Sequence, residues 1–179
     1  MSPATTLKLA LAAAIAGGTF VGASAAPGDA ACNALPQQDA AALMGAPLES
    51  NFRNETAADA INGHDHTTVC GWFPKGYNLK TADKPPEHGI SLTLHTFRTS
   101  AEAKQFHDMT KRGPASEKPK PLASIGDDAV IDEKTFSGTN VATIRFLKGV
   151  HSAQVQTWRK GQAGADAATA AAKQAAAKL

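Results

Sequence analysis

Residues 141–158 read VATIRFLKGVHSAQVQTW, and this stretch decides the fold. Val141 to Leu147 and Val150 to Trp158 are rich in residues that suit a pleated, half-buried surface, and Lys148 and Gly149 between them form a two-residue turn signal. With Leu147 set opposite Val150, the residues Ala142, Ile144 and Phe146 share a face with His151, Ala153 and Val155. The other face receives Thr143, Arg145, Ser152, Gln154 and Gln156. One side is apolar and the other wet, as in an antiparallel sheet packed on a single side.

Upstream segments repeat that period. Ile90, Leu92 and Leu94 alternate with Ser91, Thr93 and His95, while Thr67 to Phe73 is β-branched or aromatic and carries Cys70. Ala129 to Ile131 reads as a short strand after the turn Gly126, Asp127, Asp128. Three helices accompany the strands. Pro36 opens the first, Asp39 suits its positive end and Gly45 stops it, with Ala40, Leu43 and Met44 as its buried stripe. Thr99 and Glu102 have capping-box spacing for the second, whose stripe is Ala103, Phe106, Met109 and Thr110 up to Gly113 and Pro114. The third is the alanine-rich segment 166–179. Glu49 to His66 is polar and irregular and reads as a loop, with a weak strand as the alternative; Pro74 to Glu87 reads as a polar loop and Pro114 to Pro121 as an extended linker. These elements predict an α+β fold: an antiparallel sheet of about four to six strands with helices packed on one face, a two-layer sandwich.

The amino terminus has the anatomy of a signal peptide. Lys8 precedes an apolar run from Leu9 to Val21, shorter than the ~20 residues that span a bilayer, and small residues follow it. Ala23 and Ala25 form the Ala-x-Ala pair, so residues 1–25 are expected to be removed and 26–179 to form one domain in the periplasm or outside the cell. In such an oxidising compartment the only two cysteines, Cys32 and Cys70, are expected to form a disulfide. The rival reading is a lipid on Cys32, but Asp29 stands where a lipobox wants an apolar residue. The whole chain carries 18 Lys+Arg against 16 Asp+Glu, a net +2, which offers no electrostatic case for nucleic acid. No second apolar run approaches membrane-spanning length, so no transmembrane anchor is expected in the mature chain.

Nucleophile-elbow, zinc-protease and phosphate-loop motifs are absent from the sequence, and no cofactor is indicated by motif. His64 and His66, two apart, would face the same way in an extended segment and could supply two ligands to zinc or copper, with Asp59, His88 or His95 completing the shell. Surface histidines are the plainer reading. His95, Arg145, Gln154 and Gln156 fall on wet sheet faces and are the candidates to meet an anionic or sugar-like ligand. The expectation is an exported, non-enzymatic binding or accessory module, its partner an envelope protein or a small ligand. A periplasmic metal-binding protein using His64 and His66 is one alternative. An enzyme whose site is assembled from distant residues is another.

Cys32 before a short helix ending Leu43, Met44, Gly45, then Cys70, Gly71, Trp72, resembles small exported bacterial proteins of unassigned function. So does the later run of Phe97, Ala101 to Phe106 and Ile125 to Ala129. Some of these belong to actinobacterial lipoprotein families with a PsbP-like α/β sandwich. The resemblance implies a binding or accessory role and transfers no catalytic residue.

Overall fold

A computed structural model of the chain describes residues 30–56, 65–79, 81–112 and 118–179. The expected leader, residues 1–25, and the candidate ligands Asp59 and His64 lie outside these. The elements are α1 (Ala30–Ala34), α2 (Gln37–Met44), β1 (Glu49–Thr56), β2 (His66–Phe73), β3 (His88–Thr96), α3 (Ser100–Thr110), β4 (Lys120–Pro121), β5 (Asp128–Phe136), β6 (Thr139–Lys148), β7 (His151–Lys160) and α4 (Ala165–Lys178). All strand pairs are antiparallel, in the order β1-β2-β3-β7-β6-β5-β4, so the α+β fold stands, with six long strands and a two-residue edge strand.

The β6–β7 hairpin has the two faces read from its sequence, but its register is displaced. Leu147 pairs with Ser152, and Gly149 and Val150 make the turn. Gly149 takes φ +56, the positive value that a tight two-residue hairpin needs at its first turn position. Because the displacement is even, no side chain changes face. Ala142, Ile144 and Phe146 lie beside Thr157, Val155 and Ala153, and all are buried.

That apolar face carries the main core. Ile90, Leu92 and Leu94 from β3 and Cys70 from β2 continue it, and α1, α2 and α4 cover it. Alanine is what lets α4 lie close to the sheet: Ala168, Ala171, Ala172 and Ala175 are each 0 % exposed, and their small side chains bring backbone near strand. Trp72 is buried and donates its indole N–H to the Leu35 carbonyl at 2.9 Å, which fixes the link between α1 and α2 over β2. The Cys32–Cys70 disulfide forms between α1 and β2. Gly45, at φ +64, donates to the Ala42 carbonyl and ends α2, as its position before Pro47 implied.

Two segments read as loop or linker form strands. Residues 49–56 pair with β2 as the edge strand β1, because backbone pairing with β2 supplies the order that their polar sequence does not. Lys120 and Pro121 pair with Ile131 and Val130. The strand expected at Ala129–Ile131 runs on to Phe136 and returns through Ser137 and Gly138, both at positive φ, into β6.

Helix α3 is capped as its sequence predicts. Glu102 N–H donates to Thr99 Oγ1, and Thr99 N–H donates to the Glu102 carboxylate. Its phase differs, however, since Met109 is 57 % exposed and His107 takes the buried place. Unlike the other helices, α3 packs on the wet side of the sheet, through Ala103 and Phe106 against Phe97 and Leu147.

His107 is the weak point of this docking. The ring is fully buried, neither nitrogen has a hydrogen-bond partner, and Asp128 Oδ2 lies 3.5 Å from Nε2. Burial lowers its pKa below 6.5, while Asp128 and Asp108 pull upward and Lys111 and Lys104 downward. The unfolded chain therefore binds the proton more readily. Stability should be flat above about pH 6.5 and fall as pH drops from there through the folded-state pKa. His107→Leu removes two unsatisfied polar atoms at similar volume. Urea melts should show it more stable by about 1 kcal/mol at pH 7.5 and more again at pH 5.5. A variant less stable than the parent at both values would contradict this.

Candidate functional site

The sheet face opposite the main core is ordered in rows across the strands. The first row, Thr67, His95, Ser152, Leu147 and Asp128, lies beside α3. Within it the His95 ring packs on Phe106 at 4.8 Å between centroids, and Nδ1 bonds Thr67 Oγ1 at 2.8 Å. His95 shares the face with the other candidates but is committed to holding α3.

The next two rows carry the polar side chains. One runs Val69, Thr93, Gln154, Arg145, Val130, the other Gly71, Ser91, Gln156, Thr143, Asp132. The structure therefore brings Arg145, Gln154 and Gln156 together, with Gln154 directly opposite both Thr93 and Arg145. Ser91 and Thr143, the short residues on either side of Gln156, are buried.

Arg145 is not a lone cation. Its guanidinium forms a salt bridge with Asp132, and their side chains are 18 % and 9 % exposed. Periodicity alone does not disclose this partner, because Asp132 lies beyond the short apolar run Ala129 to Ile131. Only the full length of β5 carries it onto the same face. The pair is nearly neutral in sum, and such a half-desolvated pair also holds its members in place. Beside it, the Gln154 and Gln156 amides have no hydrogen-bond partner among the described residues. Each presents two donors and one acceptor.

A fourth row closes the site with apolar rings. Phe73 packs on Trp158 at 5.4 Å and on Tyr77 at 5.3 Å between centroids, and Trp158 follows Gln156 on the same face of β7. The face as a whole is thus a neutral polar strip between α3 and an aromatic rim.

A cavity of about 340 Å³ lies elsewhere, beyond the carboxyl end of α2, lined by Met44, His88, Arg159 and Lys160 among others. Its cations are already employed. Arg159 donates from Nη2 to the Leu43 carbonyl at 2.9 Å, serving the negative end of α2, and Lys160 pairs with Glu87.

His66 opens β2 and pairs with Thr96. His88 stands at the far end of β3, and His95 lies on the opposite face, so neither reaches His66. Among the described residues, no group of three or more His, Cys, Asp or Glu could hold a metal ion. Asp127 accepts from the Gly149 N–H, and Asp128 from Lys111, so both serve the fold.

The fold and this face define an α+β sheet domain with one sealed side and one open polar strip. Among solved structures, the extracellular domain of PknH from Mycobacterium tuberculosis shares the fold, with a TM-score of 0.60 at 12% identity over 86% of this chain and 96% of that one. A protein from Bacteroides thetaiotaomicron aligns with a TM-score of 0.35 at 11% identity over 68% of this chain and 41% of that one, too low to support an argument. No family model matches the chain, a PsbP-like one included. No curated protein matches it either. The likeness to the PknH domain is one of fold. No helix among the described residues is long and apolar enough to cross a membrane.

Proposed function

We propose that the protein is an exported, disulfide-stabilised binding module whose ligand surface is the polar strip around Gln154, Gln156, Arg145 and Asp132. Export is supported by the leader read in residues 1–25, by the Cys32–Cys70 bond, and by the extracellular setting of the domain that shares the fold. Periplasm and full secretion fit these equally.

One observation carries the site: two neighbouring amides present unspent donors and acceptors beside a charge pair that cancels itself. Such a surface favours a neutral polyhydroxyl ligand over an anion. An anion would meet Asp132, whereas sugar hydroxyls match amides that both give and accept. The aromatic rim offers an apolar edge for a sugar ring.

Chemical-shift mapping with a panel of small saccharides and a parallel panel of dicarboxylates tests this. The expected result is saturable shifts from saccharides, clustered on Ser91, Thr93, Thr143, Gln154 and Gln156 and lost in Gln154→Leu/Gln156→Leu. Shifts centred on the Pro74–Glu87 loop would move the site there. No saturable shift from either panel would end the reading.

A further inference from the structure

On the opposite face, at the end of the sheet where β2 begins, the register places His66, Thr96 and His151 side by side on three adjacent strands. Neighbouring strands are about 4.8 Å apart, so the two histidines start about 10 Å apart with Thr96 between them. His151 Nδ1 lies 3.2 Å from Thr96 Oγ1, which leans the imidazole toward β3 and toward His66.

We propose that His66 and His151 form a binding site for a divalent transition-metal ion of the Zn²⁺ or Cu²⁺ class, spanning three strands across Thr96. The chemistry follows from the partners. When Nδ1 of His151 donates to Thr96 Oγ1, the lone pair of Nε2 is left for a metal, the arrangement by which a second hydrogen bond fixes a ligating histidine. Neither the His66 ring nor His151 Nε2 has a hydrogen-bond partner among the described residues. The nearby charges are already engaged: Asp65 with Arg98, and Lys148, opposite His151, near Asp127. Two imidazoles leave coordination positions open for water or a further ligand. The site pairs His66 with a residue 85 positions away, not with its sequence neighbour His64, and it is independent of the polar strip on the other face.

The test is calorimetric titration of the metal-free full chain with ZnCl₂ and CuCl₂, for the parent and for His64→Asn, His66→Asn and His151→Asn. The expected result is one saturable site, weakened about tenfold or more in both His66→Asn and His151→Asn. His64→Asn should bind as the parent does; a loss there too would add a third ligand to the same pair. Binding retained in His151→Asn but lost in His64→Asn and His66→Asn would assign the metal to the local pair and overturn the proposal, as would no saturable heat in the parent. Paramagnetic broadening by Cu²⁺ in the unsubstituted protein checks the site without relying on a variant's folding. Broadening centred on residues 66, 96 and 151 supports the pair, and broadening elsewhere refutes it.

Discussion

Replacing both cysteines, Cys32→Ala/Cys70→Ala, is expected to destabilise the protein by about 4 kcal/mol. The bond closes a loop across a sequence separation of 38 residues that contains the end of α1, all of α2 and β1, and the start of β2. In the chain-entropy account, freeing a loop of that length restores to the unfolded chain most of the freedom the bond removed. The loss is large against a net stability of about 5–15 kcal/mol. It should appear as a fall in midpoint of about 10 °C in thermal melts, since each kcal/mol shifts a domain of this size by about 2–4 °C. The same loss should follow reduction of the parent. The position of the bond adds to the effect: α1 has only five residues, too few to hold a helix by itself, and Cys32 tethers it to β2. A melt unchanged by reduction, or two thiols titratable in oxidised native protein, would refute the assignment.

What the sequence revealed and what it hid divides along physical lines. Periodicity set the faces of β3, β6 and β7, because a period of two survives an even slip in register. It did not set the register, because Gly149 can serve either position of a two-residue turn and only cross-strand packing selects one. The capping box of α3 was readable because Thr99 and Glu102 interact locally. The phase of the helix was not, because a histidine in the buried place runs against every expectation from hydropathy. β1 is legible only as a weak strand within a loop for a related reason: an edge strand rich in polar residues owes its order to its neighbour. At the polar strip, Arg145, Gln154 and Gln156 are legible because all three lie on one hairpin. His95 lies on the expected face but is used by α3, and Asp132 lies past the short strand that periodicity marks, although the Ser137–Gly138 turn ahead of β6 is a signal that extends β5 to include it.

Gly126→Ala is the single substitution expected to do most damage, about 3 kcal/mol or more. Two causes act together. The residue sits at φ +57, a backbone conformation that side chains resist, and a Cβ there would lie 2.1 Å from the Leu147 carbonyl oxygen. That oxygen cannot move aside freely, since it accepts from the Asp127 N–H at 2.7 Å and belongs to β6 where the strand nears its turn. A shift of the Ile125–Asp127 segment would also disturb Asp128, which holds Lys111 and faces the buried His107. Gly149→Ala separates the two causes. Gly149 has nearly the same φ, +56, but no atom within 4 Å of the added carbon, so it should lose only the conformational part, about 1–2 kcal/mol. Urea midpoints of the two variants measure the difference. If they fall equally, close approach contributes nothing and backbone strain alone explains both; the larger loss at Gly126 would show that contact with β6, more than the turn, is what requires glycine there.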